Sequence, residues 1–238
     1  MKKSKSASRY SNDHLPYDIL VKIFMVLNVV DLGIVSLVCK SWKSASSDRA
    51  LWHKVDLSRL SSRFFDIPSD IIFWTASDKR STSTKMAQFL KHALSLSGEN
   101  ISCLIFNFYI PLTDIQLITA AQRTPNLKRL VLPYKGSLTK RAIHTAMASW
   151  RGLESMTITS MINCRYLFSA ISKWCKNIVE LKFTDDFNQN HADALIKYTP
   201  NLKVLSLRTT MVEKKALEDA LDGLKHLKVA NMCHASFT

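Results

Sequence analysis

At 238 residues, with 47% hydrophobic and 22% charged side chains, the chain can bury one large core beside a small domain and is too apolar to be disordered throughout. Its formal net charge is +14; residues 1–57 carry +4 of this and the rest +10, so the excess is spread along the chain. Such a field could attract nucleic acid, acidic proteins or phosphorylated segments, and a solvated basic surface is the plainer explanation. Five cysteines, an odd number with no CxxC pair, argue against a disulfide framework and a zinc site and read as reduced thiols of an intracellular protein, cytoplasmic or nuclear.

Residues 1–12, MKKSKSASRYSN, are basic and serine-rich and are expected to be a disordered tail. The lysines resemble the start of a secretory signal, but the apolar stretch behind them is interrupted at Asp18 and Lys22, so secretion is rejected. From Leu15 to Trp42, 19 of 28 residues are apolar, yet no uncharged run exceeds eight residues. A membrane span needs about 20 consecutive apolar residues, so none is expected here. Ile19, Ile23 and Leu27 form a helical stripe, and Leu20 and Phe24 widen the apolar face. Asp31 is expected to cap a second helix through Val38, with Trp42 in a third. A short helix that is apolar nearly all round belongs to the centre of a large protein or is covered by another chain. The remainder of the chain has its own periodicity, so a partner is the better inference, and each buried Leu, Ile or Val would contribute about 1.5–3 kcal/mol.

LPxxIL at Leu15–Leu20, a helix ending in Leu27, DLxxxSLVCKSW from Asp31 to Trp42, and Leu51-Trp52 together resemble an F-box, expected over residues 13–53. Two positions depart from the usual pattern: Phe24 stands where Leu is common, and Gly33 lies inside the second helix, at a cost of about 1 kcal/mol relative to Ala. The resemblance implies docking on a Skp-type adaptor and, through it, a cullin of a RING ubiquitin ligase. By the same resemblance Leu15, Pro16, Ile19, Leu20, Ile23, Leu32, Val38 and Trp42 would meet the adaptor. The plainer reading assigns all of them to an internal helical core, and it is partly right, because some must pack on each other.

Beyond Trp52, apolar residues at i, i+3 and i+5 recur, from Trp52-Val55-Leu57 through Ile101-Leu104-Phe106 and Leu127-Leu130-Leu132 to Leu224-Leu227-Val229. From Ile101 the units start 26, 26, 25, 24 and 22 residues apart. A fixed period of this length means a solenoid. The pattern resembles leucine-rich repeats of the type with a helix in each turn, implying an α/β fold with a parallel sheet on the concave face and helices on the convex one. Helical stripes at Ile115 and Ile118, at Ile143, Met147 and Trp150, at Leu167, Ile171 and Trp174, at Ala194, Leu195 and Tyr198, and at Leu217, Ala220 and Leu221 fill the intervals. Residues 54–100 are expected to be an irregular first repeat with an insertion at 58–85, either sealing the core or contacting a target, and the repeats proper run over 101–238. After Val229 only ANMCHASFT follows; a terminal repeat ordinarily carries a polar cap, so either this tail folds over the edge or the array is a shortened one.

The five glycines leave no phosphate-cradling loop, and no GxSxG or HExxH is present. The chain reads as a binding protein rather than an enzyme, and no residue requires a cofactor or metal. Residues between the LxxLxL leucines should face the concave side; Arg129, Val131, Tyr134, Thr157, Lys182, Arg208 and Lys228 are the candidate target-binding set. This mixture suits a protein, particularly an acidic or phosphorylated one, better than nucleic acid, which favours a denser basic stripe with aromatic stacking. The family resemblance thus implies a substrate-recognition subunit of a Skp–cullin–F-box ligase. The rivals are a protein-interaction scaffold without a ligase role and, less favoured, a basic nucleic-acid-binding solenoid.

Overall fold

The computed structural model describes residues 15–58, 87–108, 110–133, 138–158 and 164–238. The expected tail at 1–12, residues 59–85 of the expected insertion, and Tyr134 lie outside the described residues.

Three short helices come first: α1 (Tyr17–Phe24), α2 (Val29–Val35) and α3 (Lys40–Ser46), closed by a 3-10 turn at Arg49–Leu51. The N-cap of α2 is Asn28, not Asp31: the Asn28 side chain accepts from the backbone N–H groups of Val30 (2.9 Å) and Asp31 (3.0 Å). Asp31 falls instead in the first turn, where its charge faces the positive end of the helix and its carboxylate accepts from the Asn28 amide at 2.6 Å. The helix therefore ends at Val35, and Val38 sits in the turn beyond it.

Strand and helix then alternate. The strands of the main sheet are β1 (Lys54–Asp56), β2 (Cys103–Ile105), β3 (Arg129–Val131), β4 (Ser155–Ile158), β5 (Glu180–Phe183), β7 (Val204–Ser206) and β9 (Val229–Asn231). Between them lie α4 (residues 87–96), α5 (Asp114–Arg123), α6 (Lys140–Ser149), α7 (Cys164–Trp174), α8 (Gln189–Tyr198) and α9 (Lys214–Gly223). Two-residue strands β6 (Asp186–Phe187), β8 (Met211–Val212) and β10 (Ser236–Phe237) form a second small parallel sheet. The main sheet runs β1-β2-β3-β4-β5-β7-β9, every neighbouring pair parallel, and α5 to α9 pack each on the next. This is an α/β leucine-rich-repeat solenoid. No described helix is long and apolar enough to cross a membrane.

One side chain from each of the first six strands makes the inner ladder: Val55, Leu104, Leu130, Met156, Leu181 and Leu205 are in register and fully buried, while Ala230 of β9 is exposed. No single unit could cover its own leucine, so burial is shared between neighbours. Helix caps secure the rungs. Thr113 and Gln116 form a capping box on α5, and Asn188 and His191 do so on α8. Thr139 caps α6 and also donates from its backbone and hydroxyl to Asp114 of α5, at 2.9 and 2.6 Å. At the opposite helix ends the Thr124 and Thr199 hydroxyls donate to carbonyls four residues back, and Trp150 Nε1 donates to Thr124 Oγ1 at 2.9 Å. The Thr199 hydroxyl shares the Leu195 carbonyl with its own backbone N–H, and the Trp150 indole ties the end of α6 to that of α5.

The expected phase holds through β7 and fails in the last repeat. The register pairs Leu205 with Ala230, so the final strand is Val229–Asn231 and its leading apolar residue is Leu227, not Leu224. Leu224 is the buried C-cap of α9, the place Thr199 takes after α8. Gly223 explains the tight join, since a Cβ there would lie 2.6 Å from the Ile196 side chain. Two helical expectations also shift. Ile115 is exposed while Leu117, Ala120 and Ala121 face inward, and Leu221 is exposed while Ala216, Leu217 and Ala220 are buried.

Gly33 proves to be a contact point. Its Cβ would sit 3.2 Å from the Phe89 ring, so its bare backbone lets α2 close onto α4. Beside it, buried Ser36 donates to the Gly33 carbonyl at 2.5 Å and lies 2.9 Å from His92 Nε2. Gly33→Ala should be nearly neutral, because the gain of about 1 kcal/mol in helix propensity offsets a small squeeze. Gly33→Val should destabilise by about 1–3 kcal/mol through overpacking, read by chemical denaturation.

Candidate functional site

The first surface lies on the three-helix unit. In α1 the two apolar stripes separate cleanly. Leu20, Val21 and Phe24 turn into the chain's own core, and Phe24 meets Trp42 edge-on at 5.5 Å between ring centroids. Leu15, Ile19, Ile23 and Val26, spaced four, four and three residues apart, stay exposed, with Val26 at 84%. Of the residues singled out from the sequence, the structure therefore leaves Leu15, Pro16, Ile19, Ile23 and Val38 outward. Leu20 (2% exposed) and Leu32 (4%) are consumed by internal packing, and Trp42 is half-buried on that core. No second chain can reach Leu20 or Leu32 without opening it. Sequence reasoning passed over Met25, Val26, Ile34 and Leu37, which are exposed and apolar. Their only signal was an apolar stretch too rich for one core face.

So many outward apolar residues on one short helical unit exceed the singly scattered surface leucines of an ordinary monomer. The scaffold beneath is held by local hydrogen bonds. Tyr17 donates to Asp48 at 2.7 Å, and the buried Trp52 indole donates to the Ser46 carbonyl at 2.6 Å.

The second surface is the concave wall. Two rows flank the buried ladder: Lys54, Cys103, Arg129, Ser155, Glu180, Val204 and Val229 on one side, and Asp56, Ile105, Val131, Thr157, Lys182, Ser206 and Asn231 on the other. Arg129 and Arg208 are exposed, Val131 and Lys182 half-buried, and Thr157 nearly covered. Lys182 pairs with Glu180 at 3.0 Å, and Glu180 also accepts from Ser155 Oγ at 2.5 Å. Burial pushes the Glu180 carboxyl up, but the hydrogen bonds from Ser155 and Lys182, with the charges of Lys182 and Arg129, outweigh it and hold it below the ordinary range. Cys103, half-enclosed among these rows, has its thiol pushed up by burial.

Lys228 does not belong to this wall. The three-residue phase shift places it in the turn before β9, where its N–H donates to the Lys203 carbonyl at 2.8 Å. There, with Lys203, Lys225, His226, Asn201 and Leu227, it lines a notch of about 450 Å³ on the outer rim. A smaller cavity of about 250 Å³ opens on the concave wall among Thr157, Lys182, Phe183, Thr184, Ser206, Arg208, Thr209 and Asn231. Among the described residues no group of three or more His, Cys, Asp or Glu side chains could hold a metal ion.

A three-helix unit with an outward apolar stripe, sharing one hydrophobic core with a repeat solenoid, defines an F-box coupled to leucine-rich repeats. Residues 12–58 match the F-box-like family. Over 224 residues the chain is 38% identical to the F-box/LRR-repeat protein At3g48880 of Arabidopsis thaliana, covering 94% of this chain and 72% of that protein. It is 27% identical over 249 residues to the putative F-box protein At4g11580 of the same plant, covering 91% and 75%. A match to the rat F-box/WD repeat-containing protein 8, 40% identical over 42 residues, covers only 18% of this chain. The chain belongs to the F-box/leucine-rich-repeat family.

Proposed function

We propose that this protein is a substrate receptor of a Skp–cullin–F-box ubiquitin ligase. The F-box, assigned to residues 13–53, docks on the Skp-type adaptor through Leu15, Pro16, Ile19, Ile23 and Val38. An irregular first repeat at 54–100 joins it to repeats at 101–238, whose concave wall around Arg129, Thr157, Lys182 and Arg208 holds a protein target. The observation that carries this reading is the exposed stripe on α1, set on an internal core that leaves it free. The chain's contribution is proximity: holding a target near the ligase raises the effective concentration of its lysines and needs no bond chemistry from the receptor. Capture from native extract tests this. Wild type should retain adaptor and cullin, and Leu15→Ala/Pro16→Ala should lose both while keeping the target. Retention of the adaptor by the double variant would overturn the docking face, and an assembled complex that ubiquitinates nothing would favour a plain interaction scaffold.

The rim notch with Lys203, Lys225, His226 and Lys228 favours a second reading, polyanion binding. Steeply salt-dependent, tight RNA or DNA binding would promote it.

A further inference from the structure

We propose that the rim on which each helix hands over to the next strand is a nucleic-acid interface, a cationic track for the phosphate backbone of a single strand. This widens the polyanion reading of the rim notch from one recess to five successive repeats, and it stands apart from the ligase reading.

The track is built by repetition. After α5, α6, α7, α8 and α9 the chain makes the same turn, in which a backbone N–H donates to the carbonyl three residues back: Leu127 to Thr124, Leu153 to Trp150, Ile178 to Cys175, Leu202 to Thr199 and Leu227 to Leu224. One residue further on, the N–H groups of Glu154, Val179, Lys203 and Lys228 each donate to the counterpart carbonyl of the preceding repeat, at 2.8 to 3.0 Å. Equivalent positions therefore stand one rung, about 4.8 Å, apart and form a line across the solenoid.

This geometry sorts the positive charge that is spread along the sequence. Within residues 123–128, 149–154, 174–179, 198–203 and 223–228, seven side chains are Lys or Arg and one, Glu154, is acidic. Glu154 is already paired with Lys128 at 2.7 Å. The other six cations, Arg123, Arg151, Lys176, Lys203, Lys225 and Lys228, are exposed and make no ion pair among the described residues. Arg151 and Lys176 donate only to carbonyls at the ends of their own helices, those of Ala148 and Ser172, and so keep their charge. The opposite ends of the strands differ. There residues 184–188 carry Asp185 and Asp186 and no cation, and residues 207–213 carry one charge of each sign.

The remaining residues of these turns narrow the partner. Leu127, Leu153, Ile178 and Leu202 are buried and Leu227 is half-buried. The turns thus present no apolar anchor of the kind that carries a protein interface or enters a bilayer. What they present is charge, the sequence-independent part of nucleic-acid binding. Two half-buried rings stand among the cations. Lys173 and Arg151 lie 4.7 and 5.6 Å from the Trp174 ring centroid, and Lys197 lies 5.3 Å from that of Tyr198. Such contacts hold cations in place without neutralising them. Rings interleaved with cations also suit unpaired bases, which a closed duplex does not offer.

The test titrates the full chain with a labelled oligouridine long enough to span the rim, over a series of salt concentrations. A strand engaging the six unpaired cations should give log affinity against log salt a slope of about −4. Arg151→Gln/Lys176→Gln should flatten that slope by about 1.4, and Lys203→Gln/Lys228→Gln by the same amount. Lys214→Gln/Lys215→Gln removes equal charge from exposed positions at the start of α9, on the opposite rim, and should leave the slope unchanged. Equal flattening by all three pairs would show that only net charge matters and would overturn the rim. Flattening by the Lys203 and Lys228 pair alone would confine binding to the notch, which overturns the track and leaves the narrower polyanion reading standing. A duplex of the same length should bind at least about fivefold more weakly, having no free bases to stack. Polyglutamate at equal charge should not displace the strand. A duplex that binds as tightly, or displacement by polyglutamate, would overturn the single strand as the occupant. Adaptor capture should be unchanged in every pair, since none of these residues lies on the helical unit, so failure of either proposal leaves the other in place.

Discussion

Leu130→Asp should abolish the cooperative thermal unfolding of the chain. Leu130 is fully buried in the third of seven strands, in register with Leu104 on one side and Met156 on the other. Removing a buried leucine costs about 2–5 kcal/mol from lost burial and the cavity left behind. An ionised carboxylate in that place has no cation or donor to meet it, which adds several kcal/mol more or forces it to protonate. A domain whose whole stability is about 5–15 kcal/mol does not survive that sum. Arg129, one residue earlier, is exposed on the concave wall, and Arg129→Gln should change stability by no more than about 0.5 kcal/mol. Circular dichroism melts of the two variants make the comparison. A cooperative, unshifted transition in Leu130→Asp would refute the strand register, because the two side chains would then have exchanged faces.

Ile23→Asp and Leu20→Asp should part company in the same way on the F-box. Ile23 is 44% exposed on the outer stripe of α1, and Leu20 is 2% exposed on the inner one. A charge at Ile23 disturbs nothing inside the chain, so the melt should move by less than about 0.5 kcal/mol. Buried under the adaptor, however, that charge would be desolvated at the centre of an interface, where a single disrupted anchor costs about 2–4 kcal/mol. Adaptor affinity should then fall by one to three orders of magnitude in a titration with purified adaptor. Leu20→Asp should lose the fold of the helical unit and the adaptor together. If Ile23→Asp binds the adaptor as wild type does, the outer stripe serves something else.

Much of this could be read without coordinates because the features are periodic. LxxLxL at a spacing near 25 residues has one economical outcome, a stack in which each leucine is covered by its neighbours. Helix stripes at Ile143 and Met147, or Leu167 and Ile171, land on the core face because 3.6-residue periodicity leaves no other choice. The misreadings arise where two choices fit the same pattern. Leu224 and Leu227 are both leucines three residues apart, and either could begin the last unit; contact of α9 with Ile196 through Gly223 makes Leu224 a helix end. With that shift Lys228 left the concave wall for the rim. Asn28 and Asp31 are both capping residues three apart, and the backbone donors reached by Asn28 decided between them.

By itself, the order of residues determined that a strongly apolar helical unit precedes a solenoid, since both follow from local spacing and from burial that every repeat requires alike. Only the tertiary structure decided which face of α1 remains outward, because Ile19 and Leu20 are equally apolar and differ only in whether Trp42 and its neighbours lie beneath them. That Lys182 and Arg208 share the concave wall was legible from the repeat; that a cavity of about 250 Å³ opens between them there was not. Spacing in a repeat assigns residues to a face, whereas the space left between them depends on how their side chains pack.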